Sequence, residues 1–140
     1  MQNGLTRCIM LIITLLITSE FMIAQIINPD IIVQRNLDYY NQRDIEGFMS
    51  CFSENITIHN FSDSKITASG LAEVKKIYGD MFTISPNLHS TILKRIVFGN
   101  KVIDHESIVG RNGSKEILEL VLIYEVEDNK ISKITVLRKS

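Results

Sequence analysis

The sequence predicts an α+β domain with its helices first and its strands last. Two observations carry this. Through residues 31–82, most apolar residues recur at spacings of three and four, the period of helices with one buried face. Through residues 88–138 the pattern changes. Four runs rich in β-branched residues are separated by Gly99-Asn100, Asn112-Gly113 and Asp128-Asn129, the signals of an antiparallel meander. Segregated helices and strands pack as helices on one face of a sheet.

Residues 1–25 are expected to lie outside this fold as a secretory signal. Arg7 is followed by an apolar run at 8–18, a polar patch at Thr18-Ser19-Glu20, and a cut near Ala24 or Gln25. An uncleaved anchor extending through Ile27 is the alternative reading. Against it, the run is short for a spanning helix and Glu20 is costly in hydrocarbon. Residues 26–140 then form a single exported domain, periplasmic or secreted, with no stable membrane association after cleavage. Cys51 is its one thiol, which precludes an intramolecular disulfide. It sits among Phe48, Met49 and Phe52 and reads as buried and inert.

Pro29-Asp30 opens the first helix, whose stripe is Ile32, Val33, Leu37 and Tyr40, with Tyr39 alongside. Residues 41–44 interrupt it. Asp44 is placed to cap a second short helix carrying Ile45, Phe48, Met49 and Phe52, because its carboxylate reaches the free N–H groups of the first turn. Ser53-Glu54-Asn55 is expected to end that helix. Residues 56–61 alternate as a first strand. After a turn at Ser62-Asp63-Ser64, Gly70 precedes a third helical stripe of Leu71, Val74, Ile77, Tyr78, Met81 and Phe82. Pro86 stops it by pushing Ser85 out of helical geometry. The four-stranded meander follows.

Composition limits the function. The 140 residues are 45% hydrophobic and 22% charged, with net charge −1, which fits one globular domain. No Lys/Arg run offers a phosphate footprint, and tryptophan is absent, so nucleic acid is not an expected partner. No Cys or His spacing suggests a metal, and no cofactor is expected.

Two-residue loops at Gly99-Asn100 and Asn112-Gly113 propose a register. The first pairs Phe98 with Lys101, Ile96 with Ile103 and Lys94 with His105. The second pairs Ser107 with Leu118 and His105 with Leu120. One face then carries Ser90, Ile92, Ile96, Phe98, Ile103, His105, Ser107 and Val109, with Leu118, Leu120, Leu122 and Tyr124. It is the more apolar face and should meet the helices. The other carries Arg95 opposite Asp104 and Glu106 opposite Glu119, mixed with Val97, Ile117, Val121 and Ile123. Facing acids suit a paired-carboxylate site. The alternative is an outer surface of weak ion pairs.

The segments YYNQRDIEGFMSCFSENITIHNF, SGLAEVKKIYGDMF, PNLHSTILKRIVFGNKVIDHE and IYEVEDNKISKI resemble the nuclear transport factor 2-like superfamily, in its SnoaL-like and steroid delta-isomerase-like branch. The resemblance implies a cone: a strongly curved, mostly antiparallel sheet wrapped around the N-terminal helices, a cystatin-like roll. It also implies a pocket at the open end and a homodimer through the sheet's outer face. In the isomerases of this branch a carboxylate base after the first strand works with a tyrosine and a protonated acid as oxyanion donors. The matching positions here are Asn60, Asn36 and Leu122. An amide cannot take the proton and leucine cannot donate a hydrogen bond.

His105 is therefore the expected catalytic residue, the one titratable group near the centre of the inner face. The competing account is a wall histidine satisfied by a neighbour. Asn60, Tyr39, Tyr40, Tyr78, Leu122 and Tyr124 are expected to contact ligand, with Arg138 at the rim. The expected function is small-molecule binding in a mainly apolar pocket, including steroid-isomerase-like or cyclase- and hydratase-type activity on a small apolar substrate. The alternative is a non-catalytic dimeric interaction module.

Overall fold

The computed structural model describes residues 27–139, so the expected signal at residues 1–25 lies outside the described residues. Helix α1 spans Pro29–Gln42 and starts on proline, whose missing N–H costs nothing at a helix start. It stops at Arg43, which takes the left-handed conformation. Asp44 then caps α2, Ile45–Ser50, by accepting a hydrogen bond from the Gly47 amide at 3.0 Å. Strand β1, Phe52–Asn60, follows directly. The expected helix end at Ser53-Glu54-Asn55 is instead strand. The Ile131 amide donates to the Cys51 carbonyl at 2.8 Å, and Phe52 pairs with Ile131. Long-range pairing here outweighs the local preference for a turn.

Strand β2, Ile66–Ser69, was not expected. It is a short edge strand paired antiparallel to β1, and only Ala68 within it is buried. Helix α3, Leu71–Thr83, buries Val74, Met81 and Phe82. The meander comprises β3, His89–Phe98; β4, Lys101–Val109; β5, Leu118–Glu127; and β6, Lys130–Arg138. The sheet order is β2-β1-β6-β5-β4-β3, with β1 and β6 parallel and every other pair antiparallel. The β5–β6 hairpin turns on Asp128 and Asn129, both at positive φ, the backbone a tight two-residue hairpin favours. The core lies between α1–α3 and the inner sheet face, with Val33, Ile56, Val74, Val102 and Ile131 almost fully buried.

The register corrects the expected faces. Strands β3 and β4 pair as anticipated at Phe98–Lys101, Ile96–Ile103, Lys94–His105 and Arg95–Asp104. Between β4 and β5, however, Ser107 faces Glu119 and His105 faces Val121, one residue off the expected pairing. The cause is the loop. Asn112-Gly113 does not form a two-residue hairpin; residues 110–117 make a longer connection containing a tight turn at Arg111–Gly113. A one-residue slip turns every β4 side chain to the opposite face. Asp104 and Glu106, expected outside, are buried at 0% and 3% exposure. Residues 94–98 of β3, paired with β4 as expected, turn over with it, so Arg95 points inward while Ile96 and Phe98 face out; the bulge between Ile92 and Lys94 keeps Ser90 inward, opposite Ile108. The expected Glu106–Glu119 pair does not exist, because Glu106 faces Leu120.

Gly110 fixes the corrected loop. Its φ is +72°, and a Cβ there would lie 2.2 Å from the Asn87 carbonyl oxygen. Gly110→Ala should therefore lower unfolding free energy by about 2–4 kcal/mol, from left-handed strain plus backbone overlap. A urea titration at neutral pH checks this; an unchanged midpoint would refute the tight approach.

Candidate functional site

A cavity of about 210 Å³ lies between the helices and the inner sheet face. Its most consequential wall residue is Glu106. The Ser90 hydroxyl donates to one carboxylate oxygen at 2.7 Å, and the Tyr124 phenol donates to the other at 3.3 Å. Ser90 is held in turn by α1. The Asn41 amide oxygen accepts from the Ser90 N–H at 2.7 Å, and its nitrogen donates to the Ser90 carbonyl at 3.0 Å. Two strands and one helix thus fix the position of a single carboxyl.

Asp104 lies two residues earlier on the same face and has different surroundings. Arg95 grips it through two bonds of 2.7 Å, and a third guanidinium nitrogen donates to Gln34 on α1 at 2.9 Å. Glu106 has hydroxyls where Asp104 has a cation. Burial, and secondarily the Asp104 charge, push Glu106 up to about 7, against the opposing pull of Ser90, Tyr124 and Arg95. A carboxyl poised there can both take and give a proton at neutral pH.

The remaining wall is apolar with phenols set into it. Tyr40, Tyr78 and Tyr124 all line the cavity. Burial raises the pKa of each, so each stays a neutral hydrogen-bond donor. The Tyr40 hydroxyl is buried with no hydrogen-bond partner. Its ring belongs to a cluster with Phe48, Tyr78 and Phe82. Arg111, from the turn after β4, and Arg138, at the end of β6, complete the lining.

Of the residues singled out from the sequence, Tyr40, Tyr78, Leu122, Tyr124 and Arg138 meet at this cavity. His105 does not. It lies on the outer face, 40% exposed, with Nε2 2.7 Å from Glu119, because the β4 register is slipped by one. Asn60 does not either. Its amide donates to Ser62 and Asp63 at 2.8 and 2.9 Å, tying the turn after β1. Tyr39 packs over Gly47, where a Cβ would lie 2.3 Å from its ring, and so sets the spacing of α1 against α2. Sequence reasoning named Glu106 but put it on the outer face, opposite Glu119, and it missed Arg111. The available signal was the length of residues 110–117: a longer loop moves both β4 acids inward. Among the described residues, no cluster of His, Cys, Asp or Glu is arranged to hold a metal.

Comparison with known proteins agrees with this architecture. The SnoaL-like domain family model matches residues 33–134. No curated protein matches the chain. Among solved structures, a cystatin-fold protein from Novosphingobium aromaticivorans superposes with TM-score 0.73 at 19% identity, covering 80% of this chain and 99% of that one. A Catenulispora acidiphila protein with a ketosteroid isomerase-like fold, in complex with trimethylamine, gives 0.66 at 14%, covering 81% and 88%. TerC co-crystallised with polyporic acid gives 0.66 at 16%, covering 80% and 92%. At these identities the likeness is one of fold.

Proposed function

The chain belongs to the SnoaL-like domain family, and on that premise we propose that its cavity binds a compact, mainly apolar molecule and that Glu106 moves a proton on it, an isomerase-type reaction. The carrying observation is Glu106 itself, a 3%-exposed carboxyl on the cavity wall held by two hydroxyls and no cation. This role is the one expected of His105, transferred to the residue that lines the pocket. Tyr78, a neutral phenol on the same wall, can donate to an oxygen that gains charge as the proton leaves carbon, while Tyr124 donates to Glu106 itself.

Cavity size narrows the ligand. A cavity of about 210 Å³ lies between the roughly 150 Å³ that admits benzene and the roughly 300 Å³ where drug-sized pockets begin. One or two fused rings fit this range better than a steroid. The test is exchange of carbon-bound protons of cyclic enones and tetralones in deuterium oxide, followed by NMR. Wild type should catalyse it, His105→Ala should match wild type, and Glu106→Gln should lose about 10²–10⁴-fold. Exchange undiminished in Glu106→Gln would overturn the assignment.

A second, compatible reading is a homodimer through the outer sheet face. It is supported by the exposure there of Leu93, Ile96 and Phe98, the last 78% exposed. Export remains part of the proposal and rests on the layout of residues 1–25.

A further inference from the structure

The charges around the cavity are unbalanced. The ionisable lining residues apart from the phenols are Glu106, Arg111 and Arg138. Arg95, on the same sheet face, has both Asp104 and Gln34. The side chains of Arg111 and Arg138 have no hydrogen bond or ion pair among the described residues. Guanidinium groups left unpaired beside an apolar cavity can receive a planar anion through two parallel bonds.

The backbone fixes where these cations stand. Glu106, Leu120 and Arg138 form one row across β4, β5 and β6, since Glu106 pairs with Leu120 and Leu120 with Arg138. Two strand spacings set the Glu106 and Arg138 backbones about 10 Å apart on a shared face. Arg138 is solvent-exposed, which puts it at the mouth; Arg111 is half-buried. Arg111 is presented by a braced turn. Gly110 abuts the Asn87 carbonyl, and the Asn112 N–H donates to the fully buried Ser85 hydroxyl at 2.8 Å. Arg111 is also the charge that acts most strongly on Tyr40 and Tyr78. Tyr40 is 8% exposed with an unpartnered hydroxyl. A buried donor without an acceptor and a braced cation beside it are together satisfied by an anionic oxygen.

We propose that the ligand is an organic carboxylate: a compact ring body seated in the cavity, its carboxylate held by Arg111 and Arg138, with Tyr40 donating to it. This rests on the pocket-binding reading above and names its ligand class. The row geometry leaves about 10 Å between the Arg138 and Glu106 backbones, room for one ring between the anchored carboxylate and the carbon that Glu106 serves.

Paired probes test it: benzoate against benzamide, and naphthoate against naphthamide, which match in shape and differ in charge. Affinities are read by NMR titration at low and high salt, with inorganic phosphate as a further arm. Each carboxylate should bind at least about tenfold tighter than its amide, and salt should erode only that preference. Arg111→Gln should remove most of it, Arg138→Gln less, and Arg111→Lys should retain part, while amide affinity changes less than about twofold. Thermal melts on each variant show that it is folded. Amides binding as tightly as acids would overturn the carboxylate assignment and leave the pocket reading standing. So would preference unchanged in folded Arg111→Gln, or phosphate binding with benzoate excluded. Binding of neither probe class would overturn both.

Discussion

Arg95→Met should lower unfolding free energy by about 3–5 kcal/mol, because it strands a buried carboxylate rather than merely removing a contact. Asp104 has 0% exposure, and both its oxygens are taken by Arg95 at 2.7 Å. Methionine fills similar volume but supplies no charge and no donor. The full cost of desolvating Asp104 then falls on the folded state. Asp104→Asn should cost less, since the Arg95 side chain is 19% exposed and can turn toward solvent. The double variant Arg95→Met with Asp104→Leu should recover most of the loss, as apolar replacement of a whole buried pair often does. With the single variant Asp104→Leu added, urea unfolding of wild type, Arg95→Met, Asp104→Leu and the double variant closes the cycle and gives the coupling energy directly. A loss below about 1 kcal/mol for Arg95→Met would show that the pair is not the desolvated bridge described above. The same change should carry a second signature. Arg95 holds Glu106 down, so removing it should move the Glu106 titration upward.

The Arg95–Asp104 pairing was readable from the Gly99-Asn100 turn, but its location was not. Turn chemistry fixed the β3–β4 register, and helical spacing found α1–α3 with Asp44 as a cap. These are short-range signals. The face of β4 is set instead by the loop at 110–117, where Asn112-Gly113 looks like a tight hairpin but sits within a longer connection. Apolar content could not arbitrate, because both faces of β4 are mixed: Val102 and Ile108 on one, Ile103 and Val109 on the other. Strand β2 was hidden for a related reason. At an edge with one buried residue, pairing to β1 decides its conformation more than its own four residues do. The tyrosines were found because large aromatic side chains on a helical stripe or an apolar strand bury whichever way the register falls. Glu106 was put on the wrong face, opposite Glu119, because a charged residue in such a strand reads as surface unless the register is known.

Glu106→Gln should make the protein more stable above neutral pH while weakening proton transfer, and the two effects together separate a functional carboxyl from a structural one. The folded carboxyl titrates near 7, against an ordinary value of 4.5. Below 4.5 both folded and unfolded chains hold the proton, and the wild-type stability contributed by this group is at its fullest. Between 4.5 and about 7 the unfolded chain releases the proton first. The folded state then binds more protons, and stability falls as pH rises. Above about 7 both are ionised and the loss is complete. At about 1.4 kcal/mol per pH unit, that gap bounds the effect near 3 kcal/mol. Glutamine never ionises and fills the same space between Ser90 and Tyr124, whose hydroxyls can rotate to meet an amide. Its stability should therefore be flat across this window and exceed wild type by about 1–3 kcal/mol at pH 8, converging toward wild type near pH 4. Chemical denaturation at half-unit pH steps reads this difference. If Glu106 served only the fold, through its bonds from Ser90 and Tyr124, the variant would instead be less stable at every pH. A buried acid that costs stability under neutral conditions, yet is braced by Asn41, Ser90 and Tyr124, is the pattern of a site where chemistry and stability conflict.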